Sequence, residues 1–448
     1  MYNKIDLKNT KSTGKQGKNY MNLNHFKKEQ LKSTVSDGIR HFKIFLKWTV
    51  LSLFIGVIVG FFSSTFGVCM EWANEMRAKH DFLLLFLPIG GLFIIWIYHY
   101  FHFDKDSGTN RILDTVHSKN TIPFRMAPLI FISTVITHLF GGSAGREGAA
   151  LQIGGSFGDK IGRVLKLDEM DRKVMVMCGM SAAFSALFGT SMAAAIFPLE
   201  VITVGVMYYV ALLPCVISSL VASFFANEFG ISPESFHILK IPAISVESIW
   251  KIALLALICA FVSSIFCTIL HTTADLYAKY LPNPYIRVVV AGCFITALSF
   301  LLGTRDYNGA GIDVIKRAFL GDVVPYAFLL KMIFTALTLG AGYRGGEIVP
   351  SFFVGATLGC LFGNIFSISP SFCAALGMAS VFCGVTNCPI TTLLISFELF
   401  GFAGTRYFIL AIAISYMLSG YSGLYHEQKI MYSKYKARFI NMNTKDLI

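Results

Sequence analysis

An arginine and a glutamate stand between glycines in a long apolar part of the chain, in the run Gly145-Arg146-Glu147-Gly148. A charged side chain at membrane depth is costly, so its presence there indicates a functional site. Glycines let the backbone turn its N–H groups toward a small ligand at the point where a helix begins. The run therefore predicts an anion held by backbone amides, with the Glu147 carboxylate close enough to compete for the same place.

A second run of similar type, Gly345-Gly346-Glu347-Ile348-Val349-Pro350, lies in the other half of the chain. A shift of 201 residues overlays Ile132–Gly158 on Ile333–Gly359 without a gap. The positions that coincide are Thr134/Thr335, Thr137/Thr338, Gly141/Gly342, Gly145/Gly346, Gly154/Gly355 and Gly158/Gly359, and the same shift places Gly108 on Gly309. We infer an internal duplication, and matched interruptions in two halves of a transporter indicate its binding site.

The composition is typical of a membrane protein. Of 448 residues, 54% are apolar and only 14% are charged, whereas a soluble domain carries about 25% charged residues. Apolar runs of spanning length recur at 51–67, 82–101, 126–140, 209–226 and 250–270. Three further runs, 142–158, 174–205 and 340–363, are interrupted by Gly, Pro and small residues. We therefore predict an all-α polytopic membrane protein with broken and re-entrant helices, which survive where protein buries them or they line a cavity.

The net charge of +12 collects at the two ends of the chain. Met1–Lys47 holds eleven basic and three acidic residues, and His426–Ile448 holds five and two. By the positive-inside rule we expect both termini in the cytoplasm, near anionic lipid, and no nucleic-acid partner. The first forty residues are polar, so no cleavable signal peptide is expected. The ten cysteines show no ligand-like spacing and are interpreted as small core residues, so we expect no metal and no cofactor.

The paired motifs resemble those of the CLC family of anion channels and anion/proton antiporters, over roughly Lys43 to Lys436. The resemblance implies a transmembrane domain at 43–436, built from two inverted-topology helical repeats at about 43–230 and 245–425. A basic tail at 1–42 and a short tail at 437–448 would flank it. The resemblance also implies a homodimer in the cell membrane that moves halide anions and protons, with helix N-termini from both repeats converging on the anion.

Several residues resemble the fluoride-handling branch, CLC-F, more closely than chloride-handling members. Gly346-Glu347-Ile348-Val349-Pro350 is similar to its GGEVTP form, and Tyr307-Asn308-Gly309-Ala310-Gly311 to its YNGxG segment. The proline that follows GREG in chloride members is Ala149 here. The resemblance implies that Glu147 is the gating glutamate and that Glu347 takes part in proton coupling.

The resemblance also implies a set of anion-binding residues. They are Ser107, Gly108, Thr109, Asn110, Gly145, Arg146, Gly148, Gly346, Ile348, Val349 and Tyr425. Gly108-Thr109-Asn110 fits the Gly-x-Asn form of the branch with Thr109 at its centre, although Ser107 is an alternative. Tyr421 competes with Tyr425 for the position of the pore tyrosine. Fluoride is strongly hydrated, so its site must offer close hydrogen-bond donors such as the Thr109 hydroxyl and the Asn110 amide.

The expected function is fluoride/proton antiport that exports fluoride, and the alternatives are a chloride channel and a chloride/proton exchanger. Gly141–Gly145 also satisfies the G-x-S-x-G pattern of a serine hydrolase, with Ser143 as nucleophile and His138 or His271 as base. That motif needs a strand-to-helix turn, which the sequence does not indicate, so we do not expect an enzyme.

Two further acids lie in parallel contexts. Glu200 and Glu398 are expected to pair with arginines or backbone groups of the repeat scaffold. In chloride/proton exchangers a glutamate near Glu200 relays the proton, and the matching position here is Val201.

Overall fold

The computed structural model describes residues 16–104, 107–118, 120–231 and 235–446. Residues 1–15 of the predicted basic tail and the last two residues of the predicted C-terminal tail lie outside this range. So does Asp106, which precedes the run Ser107-Gly108-Thr109-Asn110, called the first motif below. Helices dominate the described residues. They are α1 (Gln16–Lys79), α2 (Leu87–Tyr100), α3 (Thr109–His117), α4 (Met126–Leu139), α5 (Glu147–Val164), α6 (Glu169–Phe188), α7 (Ser191–Val201), α8 (Leu212–Glu228), α9 (Val246–Tyr280), α10 (Pro284–Leu302), α11 (Ile312–Phe319), α12 (Ala327–Ala341), α13 (Ile348–Phe366), α14 (Pro370–Thr386), α15 (Pro389–Phe400) and α16 (Thr405–Leu418).

The helices fall into a long class and a short class. Six helical segments of the described residues are long and apolar enough to cross a membrane, namely Thr34–Lys79, Asp81–Tyr100, Tyr209–Glu228, Val246–Tyr280, Pro284–Leu302 and Ile348–Phe366. Shorter apolar helices such as α4, α7, α12 and α15 lie between them. This mixture confirms the prediction of a polytopic helical membrane protein with broken helices.

The chain divides into two compact units, each defined by the contacts among its own residues. The first ends at Val50 and contains the beginning of α1, whereas the second runs from Leu51 onward and contains every other element. Eight of the ten cysteines are buried in this second unit, in agreement with their interpretation as core residues.

The matched glycines Gly154 and Gly355 each lie at a helix crossing. A side-chain carbon added to Gly154 of α5 would lie 2.1 Å from the carbonyl oxygen of Gly179 in α6. The corresponding carbon on Gly355 of α13 would lie 2.3 Å from the carbonyl oxygen of Gly377 in α14. Small residues let membrane helices approach this closely, so the duplicated glycines build the same crossing twice.

A small sheet joins the segment after α7 to the segment after α16. Its strands are β1 (Thr203–Val204), β2 (Lys429–Tyr432) and β3 (Phe439–Asn443). β1 pairs with β2 in parallel, and β2 pairs with β3 antiparallel. The sequence pattern did not predict this sheet, which attaches the segment after α16 to the end of α7.

Candidate anion site

The two motif loops cross each other at their matched glycines. Gly145 N–H donates to the Gly346 carbonyl and Gly346 N–H donates to the Gly145 carbonyl, each at 2.7 Å. A side-chain carbon on Gly346 would lie 2.6 Å from the Gly148 nitrogen, so only glycine allows this approach. The crossing brings the start of α5 against the start of α13.

Matched threonines hold each loop from the opposite repeat. Ser143 N–H donates to Thr338 Oγ1 at 3.0 Å. Arg344 N–H donates to Thr137 Oγ1 at 3.2 Å. Both bonds link positions that exchange under the 201-residue shift, so the duplication inferred from the sequence is present as a reciprocal pair of contacts.

A third loop, at residues 307–309, supports the first crossing loop from another side. Asn308 Nδ2 donates to the Gly141 carbonyl at 2.8 Å, and Gly309 N–H donates to the Gly142 carbonyl at 3.1 Å. Lys331 is fully buried in α12 and donates to the carbonyl of Gly309 at 2.6 Å. Sequence reasoning missed Lys331, although a lone cation within an apolar helix was a usable signal.

The Glu147 carboxylate lies at the start of its own helix. Only 1% of the residue is exposed. Its Oε2 accepts the Arg146 N–H at 3.1 Å, and its Oε1 lies 3.7 Å from Arg146 Nε. Arg146 also donates to the Leu187 carbonyl, which fixes its guanidinium. Because a helix N-terminus attracts anions, the carboxylate occupies a place that suits a small anion.

Glu347 has a different setting, at the wall of a cavity of about 320 Å³. Its residue is half-buried and precedes α13 as the N-cap. A side-chain carbon on Gly148 would lie 3.5 Å from Glu347 Oε2, so the carboxylate lies beside the crossing. The cavity is lined by Ser107, Gly108, Thr109, Asn110, Gln152, His271, Arg344, Glu347, Tyr425 and His426, among others. It therefore brings Glu347 together with the four predicted residues of the first motif and with Tyr425.

The first motif forms the N-terminus of α3. Gly108 is the N-cap with φ of +59°, a conformation that favours glycine. Thr109 Oγ1 donates to the Gly148 carbonyl at 3.4 Å and accepts from Gln152 Nε2 at 3.3 Å. The Asn110 side chain accepts the Glu427 N–H, so its oxygen is engaged by the C-terminal segment. Gln152 is a cavity residue that sequence reasoning missed.

The two candidate pore tyrosines have separate environments. Tyr425 is 2% exposed, lines the cavity, and its hydroxyl has no hydrogen-bond partner within the described residues. The Tyr421 hydroxyl shares a hydrogen bond with Ser433 instead. A buried hydroxyl without a partner that borders a cavity is suited to a ligand, and this geometry favours Tyr425.

The remaining predicted residues lie in the first turn of α13 or at the crossing. Ile348 and Val349 are buried at the start of α13. Their side chains are apolar, so only their backbone N–H groups can serve an anion.

Glu200 and Glu398 connect the two repeats by capping each other's helices. Glu200, near the end of α7, accepts the N–H groups of Ile390 and Thr391 at the start of α15. Glu398, near the end of α15, accepts the N–H groups of Met192 and Ala193 at the start of α7. The expectation that these acids pair with backbone groups is correct, and both are engaged in the scaffold.

The hydrolase interpretation finds no geometric support. Ser143 is buried, and its Oγ shares a hydrogen bond with Thr335 Oγ1 at 3.1 Å. His138 Nδ1 bonds to the Thr134 carbonyl, and His271 Nε2 bonds to the Gly423 carbonyl. The serine and the two imidazoles therefore belong to separate hydrogen-bond groups.

Fold and site together define a multi-pass membrane protein with a duplicated, crossed-loop centre. A family model described as voltage gated chloride channel matches residues 90–420. A chloride/fluoride channel protein of Pseudomonas syringae pv. tomato is 33% identical over 396 residues, covering 87% of this chain and 88% of that protein. The H(+)/Cl(−) exchange transporter ClcA of Yersinia pestis is 23% identical over 383 residues, covering 78% of this chain and 79% of that protein.

Solved structures agree with this match. The crystal structure of a CLC-type fluoride/proton antiporter has a TM-score of 0.83 and 31% identity, covering 86% of this chain and 98% of that chain. The chain belongs to the voltage-gated chloride channel family, CLC.

Proposed function

We propose that this protein is a proton-coupled fluoride exporter of the cell membrane. The observation that carries the proposal is the placement of a second glutamate, Glu347, in the cavity beside the loop crossing. A fixed carboxylate in an anion pathway repels the anion through Coulomb interaction. It is compatible with anion passage when it takes up a proton during the cycle, which is the behaviour that coupling requires.

Glu147 supplies the other half of the coupling. When deprotonated, its carboxylate occupies the N-terminus of α5, where it accepts the Arg146 N–H. Protonation removes the charge that this helix end stabilises. The side chain then leaves, and an anion takes its place. One group thus alternates between proton carrier and anion competitor.

Fluoride is the preferred substrate because the cavity offers compact hydrogen-bond donors. The Gln152 amide and the Tyr425 hydroxyl border the same space, and the Tyr425 hydroxyl has no hydrogen-bond partner within the described residues. Fluoride is the most strongly hydrated halide and accepts short hydrogen bonds, so its transfer from water needs such donors. The similarity to a chloride/fluoride channel protein and to a fluoride/proton antiporter supports this choice.

The direction and assembly follow from the same proposal. Inward movement of protons drives fluoride out of the cell. Both termini face the cytoplasm, so the cavity that holds Glu347 opens to the cytoplasm through the end that carries the C-terminal segment. The protein acts as a homodimer with one pathway in each subunit.

Flux from proteoliposomes tests the proposal directly. Vesicles loaded with fluoride or with chloride are diluted into halide-free buffer, and halide release and proton uptake are recorded together, with and without a proton gradient. We expect fluoride release coupled to proton uptake, and much slower chloride release. Chloride flux equal to or above fluoride flux would favour a chloride channel or chloride/proton exchanger. Fluoride flux that does not depend on the proton gradient would indicate a fluoride channel instead.

A further inference from the structure

Two histidines form a close, tilted pair at the wall of the cavity that holds Glu347. The ring centroids of His271, on α9, and His426, after α16, lie 3.8 Å apart with an interplanar angle of 41°. Both residues are half-buried and both line the cavity. The pair therefore brings together, at the cavity wall, two segments that are far apart in sequence.

The tautomer of His271 is fixed by its partner. His271 Nε2 lies 2.9 Å from the Gly423 carbonyl oxygen. A carbonyl can only accept, so Nε2 carries a hydrogen and Nδ1 keeps the lone pair that can accept a proton. The hydrogen bond to Gly423 holds the ring in place.

The charges around the pair favour a single shared proton. Two imidazolium rings at this distance repel each other strongly, so the two rings are not charged at the same time. Asp275 from α9 and Glu427 from the C-terminal segment offset one positive charge, while Lys445 pairs with Glu427. Arg344 and Glu347 face the same cavity from the loop that precedes α13.

The position of the pair also suits proton release. Asp275 is exposed, the histidines are half-buried, and Glu347 lies at the loop crossing. Burial, together with the neighbouring His271, holds the pKa of His426 below its usual value. An imidazole with a lowered pKa gives up its proton readily at neutral pH.

Resting on the proposed function, we infer that His271 and His426 form the cytoplasmic proton-transfer station of the transporter, exchanging protons between Glu347 and the cytoplasm. In the release step, the O–H bond of protonated Glu347 breaks and an N–H bond forms on an imidazole. That imidazolium then loses its proton to bulk water. A cavity of about 320 Å³ has room for about ten waters, which can relay the proton across the space between the groups.

Conservative variants distinguish a role of the two histidines in proton transfer from a role in packing of the C-terminal segment. His271→Gln places an amide N–H where Nε2 donates to Gly423, so it preserves the hydrogen bond and removes the basic ring nitrogen. His426→Gln removes the second ring. His237→Gln, at an exposed histidine outside the cavity, is the matched control.

The measurement is coupled fluoride release and proton uptake in proteoliposomes, at a series of pH values equal on both sides. We expect the double variant to lose about 100-fold in coupled rate, the usual scale for removing a proton-transfer group. The pH step of the wild type, below the ordinary histidine pKa of about 6.5, should disappear. Free imidazole in the buffer should restore the rate of His426→Ala, whereas the rate of the control should match the wild type throughout.

Each result bears on the inference. A double variant with the wild-type rate and pH profile overturns it. Loss of rate without rescue by imidazole also overturns it, and assigns the pair to packing of the C-terminal segment. Failure of the proposed function is visible separately, because the wild type itself would then move fluoride without protons or not at all.

Discussion

The loops that begin α5 and α13 have nearly the same backbone conformation, but their cap residues carry side chains of opposite charge. Arg146 and Glu347 occupy the same N-cap position, with φ and ψ of −108° and −20° in the first repeat and −99° and −12° in the second. The residue after the cap is Glu147 in one loop and Ile348 in the other. An arginine–glutamate pair therefore faces a glutamate–isoleucine pair across the Gly145–Gly346 crossing.

This difference separates two tasks. The Glu147 carboxylate is enclosed and lies against Arg146, so it resides at a helix end that also suits an anion. Glu347 lines an open cavity, and no ion pair joins it to another described residue. Duplication supplied two equivalent helix N-termini, and divergence placed a glutamate after the cap residue in only one of them. Under the proposed function, that glutamate is the group that competes with the anion.

Glu147→Gln should have the largest effect on transport. The amide keeps the shape of the side chain, but it neither carries a proton nor acts as an anionic competitor. Fluoride-driven proton movement should fall on the order of 1000-fold, within the range for removal of an essential acid–base group. A pH electrode that follows vesicles with an imposed fluoride gradient measures it.

The matched control for this variant is Glu169→Gln, which also changes an acid in the first turn of a helix. It should retain wild-type coupling. Coupled proton flux at the wild-type rate in Glu147→Gln would show that the enclosed carboxylate is not the group that alternates with the anion.

Glu347→Gln should have the next largest effect. We expect a loss of about 100-fold in coupled flux, because the amide neither accepts nor releases a proton. Expression in a fluoride-sensitive bacterium provides the measurement, because the variant should restore growth on fluoride less well than the wild type. Full rescue by Glu347→Gln would assign all coupling to the first repeat.

The sequence predicted the crossing better than the groups that surround it. The 201-residue shift superimposed Gly145 on Gly346, and these two residues pair directly in the structure. The shift also matched Thr137 with Thr338, which hold the opposite loops. Internal symmetry made these contacts predictable, because equivalent loops around a pseudo-twofold axis meet at equivalent residues.

The missed features involve contacts between segments without a repeat relationship. β1 pairs with β2 across more than two hundred residues, and short strands without a sustained alternating pattern leave no local signal. His271 was weighed only as a hydrolase base, because its proximity to His426 depends on where the C-terminal segment lies. Lys331 was visible as an isolated cation, but its carbonyl partners could not be foreseen from the sequence.

The glycines of the crossing allow a sharper test of the two loops. A side-chain carbon on Gly346 meets the backbone nitrogen of Gly148 at 2.6 Å, whereas on Gly145 it first meets the flexible Glu147 carboxylate at 2.9 Å. Gly346→Ala should therefore cost about 2–3 kcal/mol of stability, as overpacking does. Gly145→Ala should cost less and should instead displace Glu147. Thermal unfolding in detergent compares them, and an equal loss of stability would show that the two sides of the crossing are equally rigid.

The reciprocal threonines should give the smallest effect and the most symmetric one. Thr137→Val leaves the Arg344 N–H without its acceptor, and Thr338→Val does the same to the Ser143 N–H. Each should cost about 1–2 kcal/mol, the penalty for a buried donor that loses its partner. Thr134→Val is the matched control, because the Thr134 hydroxyl is buried and has no hydrogen-bond partner in the part of the chain that the structure describes, so its removal should be neutral. Equal melting-temperature losses for the two loop variants would establish that the repeats share the mechanical support of the site equally, so that their functional difference lies in the cap residues. A clear loss for only one of them would place part of that difference in the supporting helices α4 and α12.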